Sequence, residues 1–246
     1  MEGQAYPGYT MRMFSDNAAK VLKEFVFTRP VTLSGGGMFP MGDDMKLMKG
    51  RIRFDASAGR VRYPLLGTTL DLGKAKGEIL ISPQWVVVDK MKGTIWDGSF
   101  TGRVLAQIDD GDALNGSFVL QDMNLTSIGR SYGKKMEKAT VHGAIEFSSK
   151  GGNMNSIQAK GEAALVHGDL VEIPLFGFLG EALSNYIPGL GHLINYKITR
   201  ADCDFSIEKG YIRTSNFSAK GSNMSLEGGG WIRLADLQVN SDFKLG

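Results

Sequence analysis

The chain has 246 residues, 42% hydrophobic and 22% charged, with a formal net charge of +2. Such a balance suits a folded protein of one or two domains with a substantial core, and the mixed, near-neutral charge excludes an electrostatic footprint for nucleic acid. A lone cysteine, Cys203, excludes an internal disulfide framework and a multi-cysteine metal site.

Residues Met1 to Tyr9 read as a frayed or appended end. A first helix is predicted from about Asp16 to Phe27. Ser15 or Asp16 serves as N-cap, and Ala19, Leu22, Phe25 and Val26 form an apolar stripe. Arg29-Pro30 ends it, because the residue before proline is pushed out of the helical region.

Most of the rest alternates with period two. Between Thr94 and Ile108 the even positions Trp96, Phe100, Val104, Ala106 and Ile108 are apolar, while Asp97, Ser99, Thr101 and Arg103 lie between them. The same pattern holds for Val141, Ile145 and Phe147, for Ile157, Ala159, Ala163 and Leu165, and for Cys203, Phe205 and Ile207. It returns at Leu237, Val239, Phe243 and Leu245. Strands of this kind bury one face and wet the other, as antiparallel sheets do. Turn residues fall between the runs at Asp55–Gly59, Asp109–Asp112, Lys150–Asn153, Glu208–Gly210 and Lys220–Asn223. Glycine, at 33 residues against 7 prolines, is nearly twice its average share of about 7%, which suits many short strands and tight turns.

A second helix, from Pro174 to Ile187, interrupts the strands and stops before Pro188-Gly189. Leu175, Phe176, Phe178, Leu179, Leu183 and Ile187 leave it little polar surface. It therefore reads either as a plug on the sheet's apolar face or as a gate that touches a membrane, with Gly177 and Gly180 allowing movement. The predicted fold is mainly β: a long, curved antiparallel sheet forming a groove or open barrel over residues 1–246, with two short helices, one of them the plug. Residues 28–113 read as a meander. Its apolar lining is expected to include Trp96, Phe100, Val104, Phe118, Ile145 and Phe147.

Few residues carry reactive chemistry. His142, His167 and His192 lack metal-ligand spacing, and Cys203 shares the parity of Phe205 and Ile207, as a buried inert thiol does. Asp109, Asp110 and Asp112 around Gly111, and Asp43-Asp44, are turn-forming patterns before they are paired acids or calcium ligands. Gly35–Gly37 and Gly228–Gly230 lack the lysine and helix of a phosphate loop, so bulges or close packing account for them. No catalytic residue, cofactor or metal is expected.

Several stretches resemble the C-terminal region of the AsmA-like family of bacterial envelope proteins. Residues Phe118-Val-Leu-Gln-Asp-Met-Asn-Leu-Thr-Ser-Ile-Gly129 are similar to a family strand that leads into a short helix. Val141-His-Gly-Ala-Ile-Glu-Phe147 is similar to its glycine-centred strand. Ile157 to Leu170 resembles the Gly-x-Gly-x-Leu strand, with Lys160 where a small residue is usual, and Ile173-Pro-Leu-Phe-Gly-Phe-Leu179 resembles the apolar helix start. Ala201 to Thr214 and Ser225 to Leu234 are similar to the closing hairpin and strand. The resemblance covers residues 114–246.

It implies a non-enzymatic segment of a lipid-transfer or outer-membrane-biogenesis protein, in the periplasm and anchored through a longer chain in the inner membrane. Its partners would be phospholipid or another acyl lipid, the membrane surface and other envelope proteins. The chain opens without a signal-type segment and stops within an alternating pattern at Asp242–Gly246, as a piece of a longer protein would. A secreted β-sandwich that binds carbohydrate through Trp85, Trp96 or Trp231, or a structural envelope module, is the alternative.

Overall fold

The computed structural model describes residues 2–6, 25–38, 49–65, 68–107, 113–131, 133, 135, 138–150, 156–168, 198–221, 225–234 and 238–246. Among them lie fifteen strands and one helix: β1 (Glu2–Ala5), β2 (Val26–Phe27), β3 (Val31–Met38), β4 (Lys49–Asp55), β5 (Arg60–Leu65), β6 (Thr68–Ile81), β7 (Trp85–Ile95), β8 (Gly98–Gln107), β9 (Leu114–Asn124), α1 (Leu125–Ser131), β10 (Thr140–Ser149), β11 (Gln158–Gly168), β12 (Ile198–Glu208), β13 (Tyr211–Gly221), β14 (Ser225–Arg233) and β15 (Val239–Leu245). The strands form one antiparallel sheet in the order β1-β3-β4-β6-β7-β8-β9-β10-β11-β12-β13-β14-β15, with β5 joining β6 and β2 joining β5. The path does not return to its start, so the sheet is not closed. Nearly every connection is to the next strand, as expected of a meander.

The chain packs as two compact units, the first comprising Met1–Ile95 and Ser99–Phe118, the second Trp96–Gly98 and Val119–Gly246. In the first unit, register places Leu33, Phe54, Ile52, Ile79, Ile81 and Val88 on one face, because residues directly opposite in a ladder point the same way. The other face carries Arg51, Arg53 and Glu78, and with them Leu80 and the buried Val87 in the row of Arg51. Glu78 is only 9% exposed yet charged, and Lys90 Nζ and Arg53 Nε each lie 3.3 Å from its carboxylate, with Arg51 Nε at 3.9 Å. Burial opposes its ionisation, but Lys90, Arg53 and Arg51 together outweigh burial and hold the carboxyl below its usual range.

The abundance of glycine has a physical reason beyond turns. Phe54 lies directly opposite Gly77, Phe205 opposite Gly161, and Phe243 opposite Gly228. In each case a Cβ on the glycine would meet the ring at 2.9 Å or less. Glycine thus lets an aromatic ring lie down across the neighbouring strand, which keeps an apolar face smooth.

Several expectations need correction. The first helix was expected to reach Phe27, but Val26 and Phe27 form β2, paired with Arg62 and Val61. Inter-strand hydrogen bonds and a β-branched valine outweigh the helical spacing there; residues 16–24 lie outside the described set. Residues Glu2–Ala5, expected to fray, pair with Val31–Ser34 as β1. The alternation expected to run unbroken from Thr94 is interrupted at Trp96-Asp97, a two-residue turn between β7 and β8. Both residues are left-handed, with φ of 48° and 61°, as a type I′ hairpin requires. The helix predicted over Pro174–Ile187 lies outside the described residues. Residue patterning does not mark α1, the helix that is described.

Candidate functional site

The second unit carries the site. Its strands β10 to β15 present one apolar face in successive rows read across the ladders, with a register shift between β12 and β13 where the second row passes from Cys203 to Phe217. The first row is Val141, Leu165, Ala201, Ala219 and Leu226. The second is Gly143, Ala163 and Cys203, continued by Phe217, Gly228 and Phe243. The third contains Ile145, Gly161 and Phe205, and the fourth Phe147, Ala159, Ile207, Ile212 and Ile232. No residue of the alternation is out of phase on β10, β11 or β12.

The two ends of this face differ. Helix α1 sits on the first two rows. Leu125, fully buried, packs with Leu165, Ala201, Cys203, Phe217, Ala219 and Leu226 in one core, and Ile128, Val141 and Phe243 pack against it. The third and fourth rows are outside that core, and Ile145, Phe147, Phe205, Ile207 and Ile212 remain half-buried. Within the fourth row Ala159 and Ile232 are themselves buried, so the half-covered stretch runs from Phe147 to Ile212, three strand spacings of about 4.8 Å or about 14 Å. It is a continuous aliphatic and aromatic surface that leads straight into a sealed core.

What seals the other end follows from the local sequence. Asn124 is the N-cap of α1, its Oδ1 accepting from the Thr126 N–H at 2.9 Å. The Leu125 N–H donates to the Ala139 carbonyl at 2.9 Å, tying the helix to the start of β10. Gly133, with φ of 66°, follows the helix, its N–H donating to the Arg130 carbonyl at 3.2 Å.

The β7–β8 turn then clamps the helix from outside. Trp96 Nε1–H donates to Ser131 Oγ at 3.0 Å, Ser127 Oγ–H donates to the Asp97 carboxylate, and the Asn124 N–H donates to the Trp96 carbonyl at 2.8 Å. A tryptophan in the left-handed region costs about 1–3 kcal/mol, so these bonds offset real backbone strain.

Of the strand residues expected on the apolar lining, Ile145 and Phe147 lie together at the open end. Phe100 and Phe118 meet each other in the first unit, ring centroids 6.4 Å apart, and Val104 follows Phe100 with the same parity on β8. Trp96 is a correction: it is in the turn, with its indole bonded to Ser131, because the hairpin reverses one residue after the buried Ile95. Leu175, Phe176, Phe178, Leu179, Leu183 and Ile187 lie outside the described residues. So do Asp109–Asp112, Asp43-Asp44 and His192.

Phe205 and Ile207 showed their alternation in the sequence and were not singled out; Ile212 and Ile232 belong with them. Leu125 and Ile128 were missed as cover, although Asn124 before an apolar pair is an N-cap signal.

Cys203 is buried in the core, and its thiol is pushed up to about 11 by burial, with Asp204 and Asp202 adding to the effect. His142 lies on the wet face, its Nδ1 accepting from the Asp122 N–H at 3.3 Å. Among the described residues no three His, Cys, Asp or Glu side chains gather as metal ligands. Compared with protein-family models, with curated proteins and with solved structures, the chain matches none.

Proposed function

We propose that the second unit holds the acyl chains of a phospholipid or similar lipid on its apolar face, as a non-enzymatic lipid-transfer segment of the bacterial envelope. One observation carries the reading: the half-buried rows of Ile145, Phe147, Phe205, Ile207 and Ile212 continue directly into the core beneath α1. Each methylene moved from water onto such a surface gains about 0.8 kcal/mol, so an alkyl chain of ordinary length is held by contact alone. No side chain needs to react. The resemblance of residues 114–246 to the AsmA-like family supports the same reading. It adds a periplasmic place in a longer chain anchored in the inner membrane, with other envelope proteins as partners.

Purification from membranes followed by mass spectrometry of extracted lipid tests this. The wild-type chain is expected to carry phospholipid at near-stoichiometric amounts, and Phe205→Glu to lose it while keeping its strand content. Wild-type protein that neither carries nor takes up any acyl lipid would refute the proposal. The carbohydrate alternative keeps Trp85, which is 36% exposed at the start of β7, but loses Trp96 to its bond with Ser131.

A further inference from the structure

The strand order ends at β15, which pairs with β14 on one side and with no described strand on the other. The unused side presents a definite set of backbone groups. Ser225 and Gly246 exchange both backbone hydrogen bonds, at 2.9 and 3.0 Å, and the Arg233 N–H donates to the Gln238 carbonyl at 2.8 Å. Both pairs fit the β14–β15 register, so the even residues Asn240, Asp242 and Lys244 also bond to β14. In an antiparallel ladder such pairs alternate with pairs that exchange no bonds. The N–H and C=O groups of Ser241, Phe243 and Leu245 therefore point away from the sheet.

Side chains decide what can use that edge. Natural sheets blunt an open edge with lysines, proline or a bulge. β15 has no proline and no bulge, and its two exposed charges, Asp242 and Lys244, have opposite signs and flank Phe243. Phe243 leans inward over Gly228 and meets Phe217 edge-on, ring centroids 5.5 Å apart with planes at 74°, so its ring covers β14 rather than the edge.

A second copy of β15 bonds to this edge only where odd residues face odd residues, so a two-fold axis must pass through a residue of the strand. With the axis at Phe243, Asp242 of each copy faces Lys244 of the other, and Ser241 faces Leu245. Lys244 already stands opposite Glu227 on β14, so charge then alternates in sign along that row. With the axis at Asp242 or at Lys244, like charges meet. With the axis at Ser241, Asp242 faces Asn240 and neither charge gains an opposite. An axis nearer either end of β15 pairs fewer residues. The charge pattern thus selects one register, because opposite charges directly across a ladder attract and like charges repel.

We infer that β15 is a docking edge for a second copy of this chain, joined antiparallel about a two-fold axis at Phe243. Such a contact uses the same edge on both molecules and closes at two. A strand edge is far smaller than a standard interface of about 1,600 Å², so the dimer is weak and concentration-dependent. Residues directly opposite point the same way, so the two apolar faces lie on one side of a shared sheet and meet at Phe243. The inference stands apart from the acyl-binding reading, and either can fail alone.

Sedimentation of the full chain from about 1 μM to about 1 mM tests this, with each variant checked for unchanged strand content. The wild type should pass from monomer to dimer over that range and stop there. D242K, which sets lysine against lysine, should weaken the dimer about tenfold, and D242K/K244D, which restores opposite signs, should return it to within about threefold of wild type. S241P removes an outward N–H that β14 does not use, so it should weaken the dimer while the β14–β15 ladder remains.

A wild type that stays monomeric throughout overturns the inference. So does a dimer that D242K and S241P leave unchanged, which would place the contact elsewhere. Assemblies that grow beyond two with concentration would mean that β15 meets a different edge, such as β1, and overturn the two-fold contact. A double variant as weak as D242K overturns the register.

Discussion

The two units solve the same problem, an antiparallel sheet with one oily side, by different means. The first ties the face that carries Glu78 together with charge: three cations converge on Glu78, and Arg60 Nη1 meets Asp71 at 2.8 Å. The second invests in its apolar face, placing a short helix on one end of it and leaving the other end half-covered. Ion pairs fix register without consuming oily surface, whereas a partly covered oily face is costly unless something apolar rests on it. The proposed lipid reading therefore concerns the second unit.

Removing the cover should produce the largest effect. Leu125→Ala deletes a fully buried side chain from the centre of the core, and about 2–5 kcal/mol of the second unit's stability should be lost. Chemical denaturation followed by labelling of Cys203, which packs in the same core, reads this directly; an unchanged labelling midpoint would show that α1 does not seal the face.

Gly161→Ala comes next. A Cβ there would stand 2.4 Å from the Ala144 carbonyl and 2.5 Å from the Phe205 ring, so overpacking should cost about 1–3 kcal/mol. It should also displace Phe205 and weaken acyl binding. A smaller loss, about 1 kcal/mol, is expected for Asn124→Ala, which removes the cap of α1.

The smallest effect belongs to the first unit and is a matter of pH. Because the Glu78 carboxyl is held below its ordinary value of 4.5, its stabilisation is present above that value and is lost as pH falls through the lowered one. Acid melts should show this slope for wild type, weaker in high salt and flattened in Glu78→Gln. Cys203 has the opposite sense: its raised value keeps the thiol neutral in the fold, so stability is lost as pH climbs from 9.0 toward about 11.

Much of this was legible in the sequence. Alternation marked β10, β11 and β12 with their faces correct, because nothing interrupts period two there, and Glu208–Gly210 announced a hairpin that the structure closes with Lys209 and Gly210 at φ of 52° and 76°. Alternation misled at Trp96, since a type I′ turn made of tryptophan and aspartate has no glycine or asparagine to announce it. What stabilises that turn is Ser127 and Ser131, some thirty residues on, and no local pattern contains them.

Helix α1 escaped because seven residues are too few for periodicity, although Asn124 and Gly133 bracket it. The edge-on contact of Tyr211 with Trp231, ring centroids 5.3 Å apart, was hidden for a further reason. Tyr211 and Trp231 become neighbours only through the register of β13 and β14, and Trp231 on its own had been weighed as a sugar-stacking residue.

The central claim is that acyl chains lie across the third and fourth rows of the second unit. A phospholipid with a photoreactive group on its acyl chain, irradiated on the purified chain and mapped by peptide mass spectrometry, examines it most directly. Adducts are expected at Ile145–Phe147, Phe205–Ile207, Ile212 and Ile232. Adducts confined to the first unit, or labelling no stronger than that of the wet-face strands, would contradict it.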